Sequence, residues 1–261
     1  MVNSIKNIDA RSSYPGGKGG AGVYQNIINL IPPHETYIET HLGGGSILIH
    51  KKLAKKSIGI DIDPAVIETW QSVAGTISLN LTMPALNIIN TDASSFLKKY
   101  QFKKNEFVYC DPPYLHETRK GGKLYDYEYT TRDHIDLLEI LKKLPCMVMI
   151  SGYRSSLYDR MLPGWNTHSF SAQTRQGKVT EWVWFNYPQP KKLHDYSYLG
   201  SNFRERERIK QQKNRWISRL LRMPDLERNA FIEELLKCSS DPSPSQILLP
   251  ADTNRKDDAA A

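Results

Sequence analysis

Residues 111–114, Asp-Pro-Pro-Tyr, directly follow the apolar run at 107–110. Two successive prolines fix the backbone and remove two N–H donors. The stretch therefore offers two acceptors, the Asp111 carboxylate and the Pro112 carbonyl, beside the flat ring of Tyr114. Such a set could bind a planar group that carries an NH2, and the amine nitrogen could then attack an electrophilic methyl group held in line. The alternative is an Asp-Pro turn with a surface tyrosine, which does not explain the pair of prolines.

A glycine-rich loop follows another apolar run, at 36–40. It begins after Glu39 and contains Gly43, Gly44 and Gly45. Glycines allow positive φ and a close approach of the backbone to a ligand. The loop therefore predicts either a cofactor site or an ordinary turn from strand to helix.

Three aspartates lie at comparable points further along the chain. Asp61 comes 18 residues after Gly43 and is placed to bind a ribose diol, although the nucleoside need not be NAD. Asp63 precedes Pro64 and is interpreted as a helix N-cap. Asp92 either accepts a hydrogen bond from a cofactor adenine or caps the helix that begins near Ala93.

Short β-branched runs and helical patterns alternate over this part of the chain, which predicts an α/β fold with a mostly parallel sheet. We predict strands at 36–40, 57–63, 86–90, 107–110 and 146–150, and helices at 45–54, 64–73, 93–100 and 131–143. Thr130 or Thr131 could cap the start of the last helix. We predict an antiparallel hairpin closing the sheet at 166–172 and 179–187, with Gly177 in its turn. Ligands of an open parallel sheet bind beyond the carboxyl ends of its strands, where the residues above lie.

Composition limits the function. The chain has 261 residues, a formal net charge of +7 and a pI of about 9.1, which favours a polyanionic partner. Its three cysteines are widely spaced, so we predict reduced thiols, no metal site and a cytoplasmic protein. The sequence shows neither the apolar stretch of a signal peptide nor a run of about 18 apolar residues, and we expect no membrane partner.

The composition changes after a plausible linker at 188–192. Residues 204–222 hold eight basic and two acidic residues and predict a helix that ends before Pro224. A second amphipathic stretch runs to 237. We predict a catalytic domain at 1–190, a basic helical extension at 191–238 and a disordered tail at 239–261. An apolar face at Trp216, Ile217, Leu220 and Leu221 is expected to pack on the core or on a second subunit, so a homodimer is possible.

The ordered motifs resemble the Dam-like, S-adenosylmethionine-dependent DNA adenine N6-methyltransferases over roughly residues 12–187. The matching stretches are SYPGGKGG at 13–20, ETHLGGGS at 39–46, GIDID at 59–63, TDAS at 91–94, DPPY at 111–114 and KVTEWVWFNY at 178–187. This chain has Thr40-His41 where the family commonly has Pro-Phe. The resemblance implies a Rossmann-like class I methyltransferase fold, S-adenosylmethionine as cofactor and double-stranded DNA as partner.

The resemblance also implies residue roles. The residues implied to bind the cofactor are Tyr14, Gly17, Lys18, Glu39, Gly43, Gly45, Asp61, Asp92, Ala93 and Asp111. The residues implied to be catalytic are Asp111, Pro112, Pro113 and Tyr114. Tyr114 would stack on a base flipped out of the duplex, because the amine of a paired base cannot reach such a pocket.

One departure from the family concerns DNA recognition. Only 29 residues separate Asp63 from Asp92, which leaves no room for the family's usual target-recognition insert. One candidate replacement is the loop at 115–132, whose stretch KLYDYEY alternates like a strand; the other is the basic helix. The residues predicted to contact DNA are Arg119, Lys120, Lys123, Arg204, Arg206, Arg208, Lys210, Lys213 and Arg215. The alternatives are a mobile surface loop and a solvated helix face.

Other functions stay open at this point. The same chemistry could act on cytosine N4 or on RNA adenine, and a DNA-binding protein could use this scaffold without catalysis. A restriction–modification pair is a further possibility that the motifs leave open. Asp-Pro-Pro-Tyr favours adenine, because the family resemblance places serine more often at the first position of cytosine N4 enzymes.

Overall fold

The fold is taken from a computed structural model of the chain. It describes residues 16–77, 85–119, 125–174 and 177–240. The first five strands of a seven-stranded sheet are parallel and lie in the order β3-β2-β1-β4-β5. β7 runs antiparallel to β5, and β6 pairs with β7 at the edge. The strands are β1 Thr36–Glu39, β2 Lys56–Asp61, β3 Ala85–Asn90, β4 Glu106–Cys110, β5 Met147–Gly152, β6 Asn166–Thr174 and β7 Gly177–Phe185. The predicted fold class, a mostly parallel α/β sheet closed by an antiparallel hairpin, is confirmed.

The described residues contain eight α-helices, of which α1 precedes the first strand. They are α1 Val23–Ile28, α2 Ser46–His50, α3 Pro64–Ile77, α4 Ala93–Lys99, α5 Thr131–Leu141, α6 Ser156–Met161, α7 Phe203–Leu221 and α8 Asp225–Ser240. α1 and α6 were not predicted, because six residues are too few to show a helical period. α5 begins at the predicted cap: Thr130 accepts from the backbone of Asp133, and Asp133 accepts from that of Thr130.

Alternate residues of the central strands face two separate apolar layers. Tyr37, Phe107 and Met149 belong to the layer that contains α1 and α2. The neighbouring residues Ile38 and Val108 belong to the layer that contains α5 and α6. Because both faces of the sheet are covered at its centre, the central strands β1, β4 and β5 read as continuous apolar runs rather than as alternating patterns.

The chain after β7 packs back on the sheet layer before the basic helix begins. The Tyr187 hydroxyl donates to the Leu30 carbonyl at 3.0 Å, and the Lys52 amide donates to Asp195 at 2.7 Å. By its internal contacts the chain divides into two units, Met1–Arg206 and Glu207–Ala261. The predicted domain boundaries stay predictions.

None of the helices in residues 16–77, 85–119, 125–174 and 177–240 is long and apolar enough to cross a bilayer.

Candidate functional site

The strand order reverses between β1 and β4, and a cavity of about 260 Å³ opens near the carboxyl ends of these strands. A crevice of this kind is where open α/β sheets bind ligands. The cavity gathers most of the predicted site residues from distant parts of the sequence. Its lining includes Gly17, Lys18, Glu39, Gly43, Gly45, Asp61, Asp92, Ala93, Asp111, Pro112 and Pro113. The predicted residue Tyr14 lies outside the described part of the chain.

The glycine loop has a conformation that requires glycine. Gly43 and Gly45 have φ angles of 44° and 57°, in the left-handed region. A Cβ on Gly45 would also collide with the ring of Trp70. The Trp70 indole N–H donates to the Gly43 carbonyl at 2.9 Å, and this hydrogen bond connects the loop to α3. The backbone at this point is therefore rigid and open to close approach.

Asp61 anchors this loop to the end of β2. Its carboxylate accepts from the Gly43 amide at 2.8 Å and from the Asp63 amide at 3.0 Å. Burial raises the pKa of Asp61, against the opposing effect of these backbone hydrogen bonds. Asp63 in turn accepts from the Ala65 amide at 2.9 Å at the start of α3, as expected of a cap. The two acids therefore organise the loop and the helix that border the cavity.

Asp92 caps α4. Its carboxylate accepts from the Ser95 amide at 2.7 Å, so the capping alternative of the sequence analysis is what the structure shows. Asp92 and Ala93 nevertheless line the cavity. Ile62 directly follows β2, is 41% exposed and also lines the cavity.

Glu39 lies at the end of β1 and is 2% exposed. It accepts from the Tyr37 hydroxyl at 2.9 Å and from the Leu48 amide at 3.2 Å. Burial raises the pKa of Glu39 to about 8. The side chain is therefore largely protonated at neutral pH.

His41, which takes a position that is commonly Phe in the resembling family, is held by a second aromatic side chain. Its Nε2 atom lies 2.9 Å from the Tyr129 hydroxyl, and its Nδ1 atom lies 2.9 Å from the Thr40 hydroxyl. Burial lowers the pKa of His41 to about 4, so the ring is neutral at physiological pH. The Thr40-His41 departure is thus accommodated by a local hydrogen-bond chain.

The end of β4 carries a buried ionic group, which we call the Lys18 cluster: Lys18, Asp111, Tyr114, Ser151 and Glu181. The Lys18 ammonium lies 2.7 Å from both carboxylate oxygens of Asp111 and 3.5 Å from Glu181. The Ser151 hydroxyl donates to Asp111 at 2.7 Å, and the Tyr114 hydroxyl donates to Glu181. The ammonium also lies 4.8 Å from the centre of the Tyr114 ring. A predicted catalytic acid is therefore already paired with a side chain that was predicted to bind the cofactor.

The two carboxylates of this cluster favour the protonated, positively charged form of Lys18. Burial tends to lower the pKa of Lys18, but Asp111 and Glu181 together raise it above its ordinary value. Burial raises the pKa of Glu181, and Lys18 opposes that shift. The sequence analysis assigned no role to Ser151 or Glu181. The available signal was that Glu181 is the one acid within the apolar run at 179–187.

The loop after Tyr114 differs from its prediction. Residues 125–127 form bends, and residues 128–129 have no regular secondary structure, where a strand was expected. The reason is that Glu128 turns back to pair with Arg119 at 2.5 Å and to accept from the Tyr125 amide at 3.0 Å. The Arg119 side chain is only 8% exposed, so it holds the loop together and presents little charge to a partner. Lys120 and Lys123 lie outside the described residues.

The predicted basic helix is present as α7, and none of its residues is buried. Arg206 is half-buried, and the other predicted DNA contacts of the helix are exposed. These exposed residues are Arg204, Arg208, Lys210, Lys213 and Arg215. Some basic charge is compensated locally, as in the 3.9 Å pair between Lys210 and Glu207.

Within the residues that the structure describes, no group of three or more His, Cys, Asp or Glu side chains could hold a metal ion.

Comparison with known proteins supports the family. The family described as D12 class N6 adenine-specific DNA methyltransferase matches residues 74–175, which include β4 and Asp-Pro-Pro-Tyr. This match confirms the family resemblance predicted from the motifs, with S-adenosylmethionine as the methyl donor. The search of curated proteins found no match.

Several solved structures resemble the fold at low identity. Magnesium protoporphyrin IX methyltransferase from Synechocystis, solved with S-adenosylmethionine bound, is 13% identical, with a TM-score of 0.42, over 64% of this chain and 76% of that one. TrmN from Thermus thermophilus is 14% identical, with a TM-score of 0.42, over 62% and 46% of the two chains. Precorrin 8W decarboxylase from Methanobacterium thermoautotrophicum is 12% identical, with a TM-score of 0.44, over 72% and 100%.

Proposed function

We propose that this methyltransferase, whose donor is S-adenosylmethionine, transfers a methyl group to N6 of adenine in double-stranded DNA. The observation that carries the proposal is the placement of Asp111 and Pro112 at the end of β4. There they border the same cavity as the glycine loop at 43–45. An amine acceptor set and a cofactor loop thus meet at one switch point of the sheet.

The cavity residues fit the cofactor. The left-handed backbone at Gly43 and Gly45 leaves the loop without side chains and open to close approach. Asp61 and Asp92 supply carboxylates at the ends of β2 and β3, and the exposed side chain of Ile62 supplies apolar surface for an adenine ring. We propose that these residues hold the adenosine part and that Glu39 faces the methionine part. When bound, S-adenosylmethionine supplies an electrophilic methyl group.

The residues of the chain would activate the target amine. The Asp111 carboxylate and the Pro112 carbonyl each accept one N–H of the amine, which favours a pyramidal nitrogen. The carboxylate also stabilises the positive charge that develops during transfer. Tyr114 presents its ring to the base, and its orientation is held by the hydrogen bond to Glu181 and by the Tyr153 ring at 4.8 Å. The amine is thereby oriented before the reaction begins.

Adenine and DNA enter the proposal from two sources. The matched family is described as adenine-specific and DNA-directed, and the match covers the strand and loop that carry Asp111. The net charge of +7 suits a polyanionic substrate. We further propose that the exposed basic residues of α7 contact the phosphate backbone. The target base must leave the duplex to reach a pocket at the end of β4.

The test is methyl transfer with product identification. Full-length protein is incubated with labelled S-adenosylmethionine and plasmid DNA, and the digested nucleosides are identified by mass spectrometry. We expect N6-methyladenine, and modification-sensitive sequencing of the same plasmid then maps the recognition sequence. N4-methylcytosine as the product, or transfer to RNA but not to DNA, would overturn the proposed substrate. DNA binding without any transfer would instead identify a non-catalytic DNA-binding protein.

A further inference from the structure

The Lys18 ammonium occupies the position that the target amine needs. It makes two 2.7 Å contacts with the Asp111 carboxylate and lies 4.8 Å from the centre of the Tyr114 ring. An exocyclic amine that donates to Asp111, on a base that stacks on Tyr114, would have to enter the same space. The amine and the ammonium therefore compete for one carboxylate.

The competition also affects the chemistry. A carboxylate that is neutralised by an ammonium at 2.7 Å stabilises a second developing positive charge poorly, because the two cations repel each other. Asp111 can act on the amine only after Lys18 has moved away. A buried ammonium that loses its partner is costly unless another anion receives it.

Glu181 is the anion placed to receive it. Glu181 is 4% exposed, and its carboxylate lies 3.5 Å from the Lys18 ammonium. A small movement of a long side chain would shorten this contact to a full ion pair. The Tyr114 hydroxyl already donates to Glu181, which holds the carboxylate in place.

We propose that Glu181 is a positioning residue that takes the Lys18 ammonium away from Asp111 when the target amine enters. This inference rests on the proposed function, because it assumes that an amine binds Asp111. In the ligand-free protein the ammonium is shared, with the closer contact to Asp111. In the substrate complex it pairs with Glu181, and Asp111 becomes available to the amine.

The first test replaces Glu181 with glutamine. Glu181→Gln keeps the size of the side chain and an oxygen that can accept from Tyr114, but it removes the charge that attracts Lys18. We expect kcat/KM for DNA to fall roughly 30-fold, because Lys18 then stays on Asp111. Affinity for S-adenosylmethionine and the thermal midpoint should change little. Glu139→Gln, on the surface of α5, is the matched control and should behave like the parent protein.

The second test asks whether Glu181 acts through Lys18. Lys18→Met removes the competing ammonium, so Lys18→Met should transfer methyl groups faster than Glu181→Gln at saturating cofactor. The assay is run at about pH 8.5, because two facing carboxylates without an ammonium favour a shared proton at lower pH. In the Lys18→Met background, Glu181→Gln should change kcat/KM less than about 3-fold.

The outcomes separate the inference from the proposed function. If the parent protein transfers nothing to DNA, the proposed function fails. If the parent is active and Glu181→Gln is equally active, only the positioning by Glu181 fails. A purely structural contribution of Glu181 would give the same loss in both backgrounds, and that result would also overturn the inference. The inference would also be overturned if Lys18→Met were no more active than Glu181→Gln.

Discussion

The ends of β2 and β4 carry aspartates with opposite kinds of partners. Asp61, the last residue of β2, accepts from two backbone amides, those of Gly43 and Asp63. Asp111, after β4, accepts from two side chains, those of Lys18 and Ser151. Backbone donors cannot leave without unfolding the loop, whereas an ammonium on a flexible stem can be exchanged for another donor.

This difference teaches how one sheet edge can combine a fixed site with an exchangeable one. At the β2 end, both carboxylate oxygens of Asp61 accept from backbone amides and so shape the cofactor loop. The β4 end is satisfied by groups that a substrate amine can replace. We therefore expect substitutions at the two ends to affect different steps.

The strongest test of this contrast is at the β4 end. Asp111→Asn should reduce methyl transfer by roughly 10³-fold, because the amide cannot stabilise the developing positive charge. Affinity for S-adenosylmethionine, measured by calorimetry, should stay within about 3-fold of the parent value. Asp136→Asn on α5 is the control. Activity near the parent level in Asp111→Asn would refute the assignment of the catalytic acid.

At the β2 end the same type of substitution should act on binding. In Asp61→Asn only the amide oxygen can accept, so one of the two backbone N–H groups that now donate to Asp61 loses its acceptor. We expect a loss of roughly 1–3 kcal/mol in unfolding free energy and a roughly 10-fold weaker cofactor affinity. The transfer rate at saturating cofactor should stay within a few-fold of the parent rate. A selective loss of that rate, with normal cofactor affinity, would erase the contrast between the two ends.

A pH experiment sharpens the comparison at β1, between these ends. The pKa of Glu39 is raised by burial to about 8, so the folded state binds this proton more tightly than the unfolded chain. The stability that the folded state gains from binding this proton is fully present below the unfolded pKa of about 4.3. It is lost as the pH rises through the folded pKa of about 8. Glu39→Gln has no such proton to lose.

We therefore expect Glu39→Gln to gain stability relative to the parent protein as the pH rises from about 5 to about 8, by roughly 1 kcal/mol or more. Urea unfolding of both proteins at each pH measures this difference, in which the contributions of the histidines cancel. A constant difference across the range would show that Glu39 titrates normally.

Outside the sheet edge, substitutions on α7 are expected to affect DNA binding alone. Lys213→Ala with Arg215→Ala should weaken DNA binding by roughly 10-fold and reduce the slope of log affinity against log salt by about 2. Methyl transfer at saturating DNA should be unchanged, since neither residue lines the cavity. Lys142→Ala on α5 is the control. An unchanged salt dependence would show that this part of α7 is a solvated face.

Much of the fold was readable from local patterns. The five parallel strands and the closing hairpin follow from apolar runs, and the caps at Thr130 and Asp92 follow from residue types at helix starts. The prediction of a strand at 123–129 was wrong for residues 125–129, which the structure describes. Glu128 pairs with Arg119 there, and a residue pattern cannot show a contact that bends the chain.

The sequence by itself determined the parallel sheet, the edge at which its polar residues meet, and the resemblance to a methyltransferase family with its methyl donor. These features depend on the order of the residues and on the short-range conformational preferences of the backbone, both of which can be read from the sequence. Only the tertiary structure decided that the Lys18 ammonium pairs with Asp111 and that Glu181 lies 3.5 Å from the same ammonium. Ninety-three residues separate Lys18 from Asp111, and the long-range packing of the sheet brings their charges together.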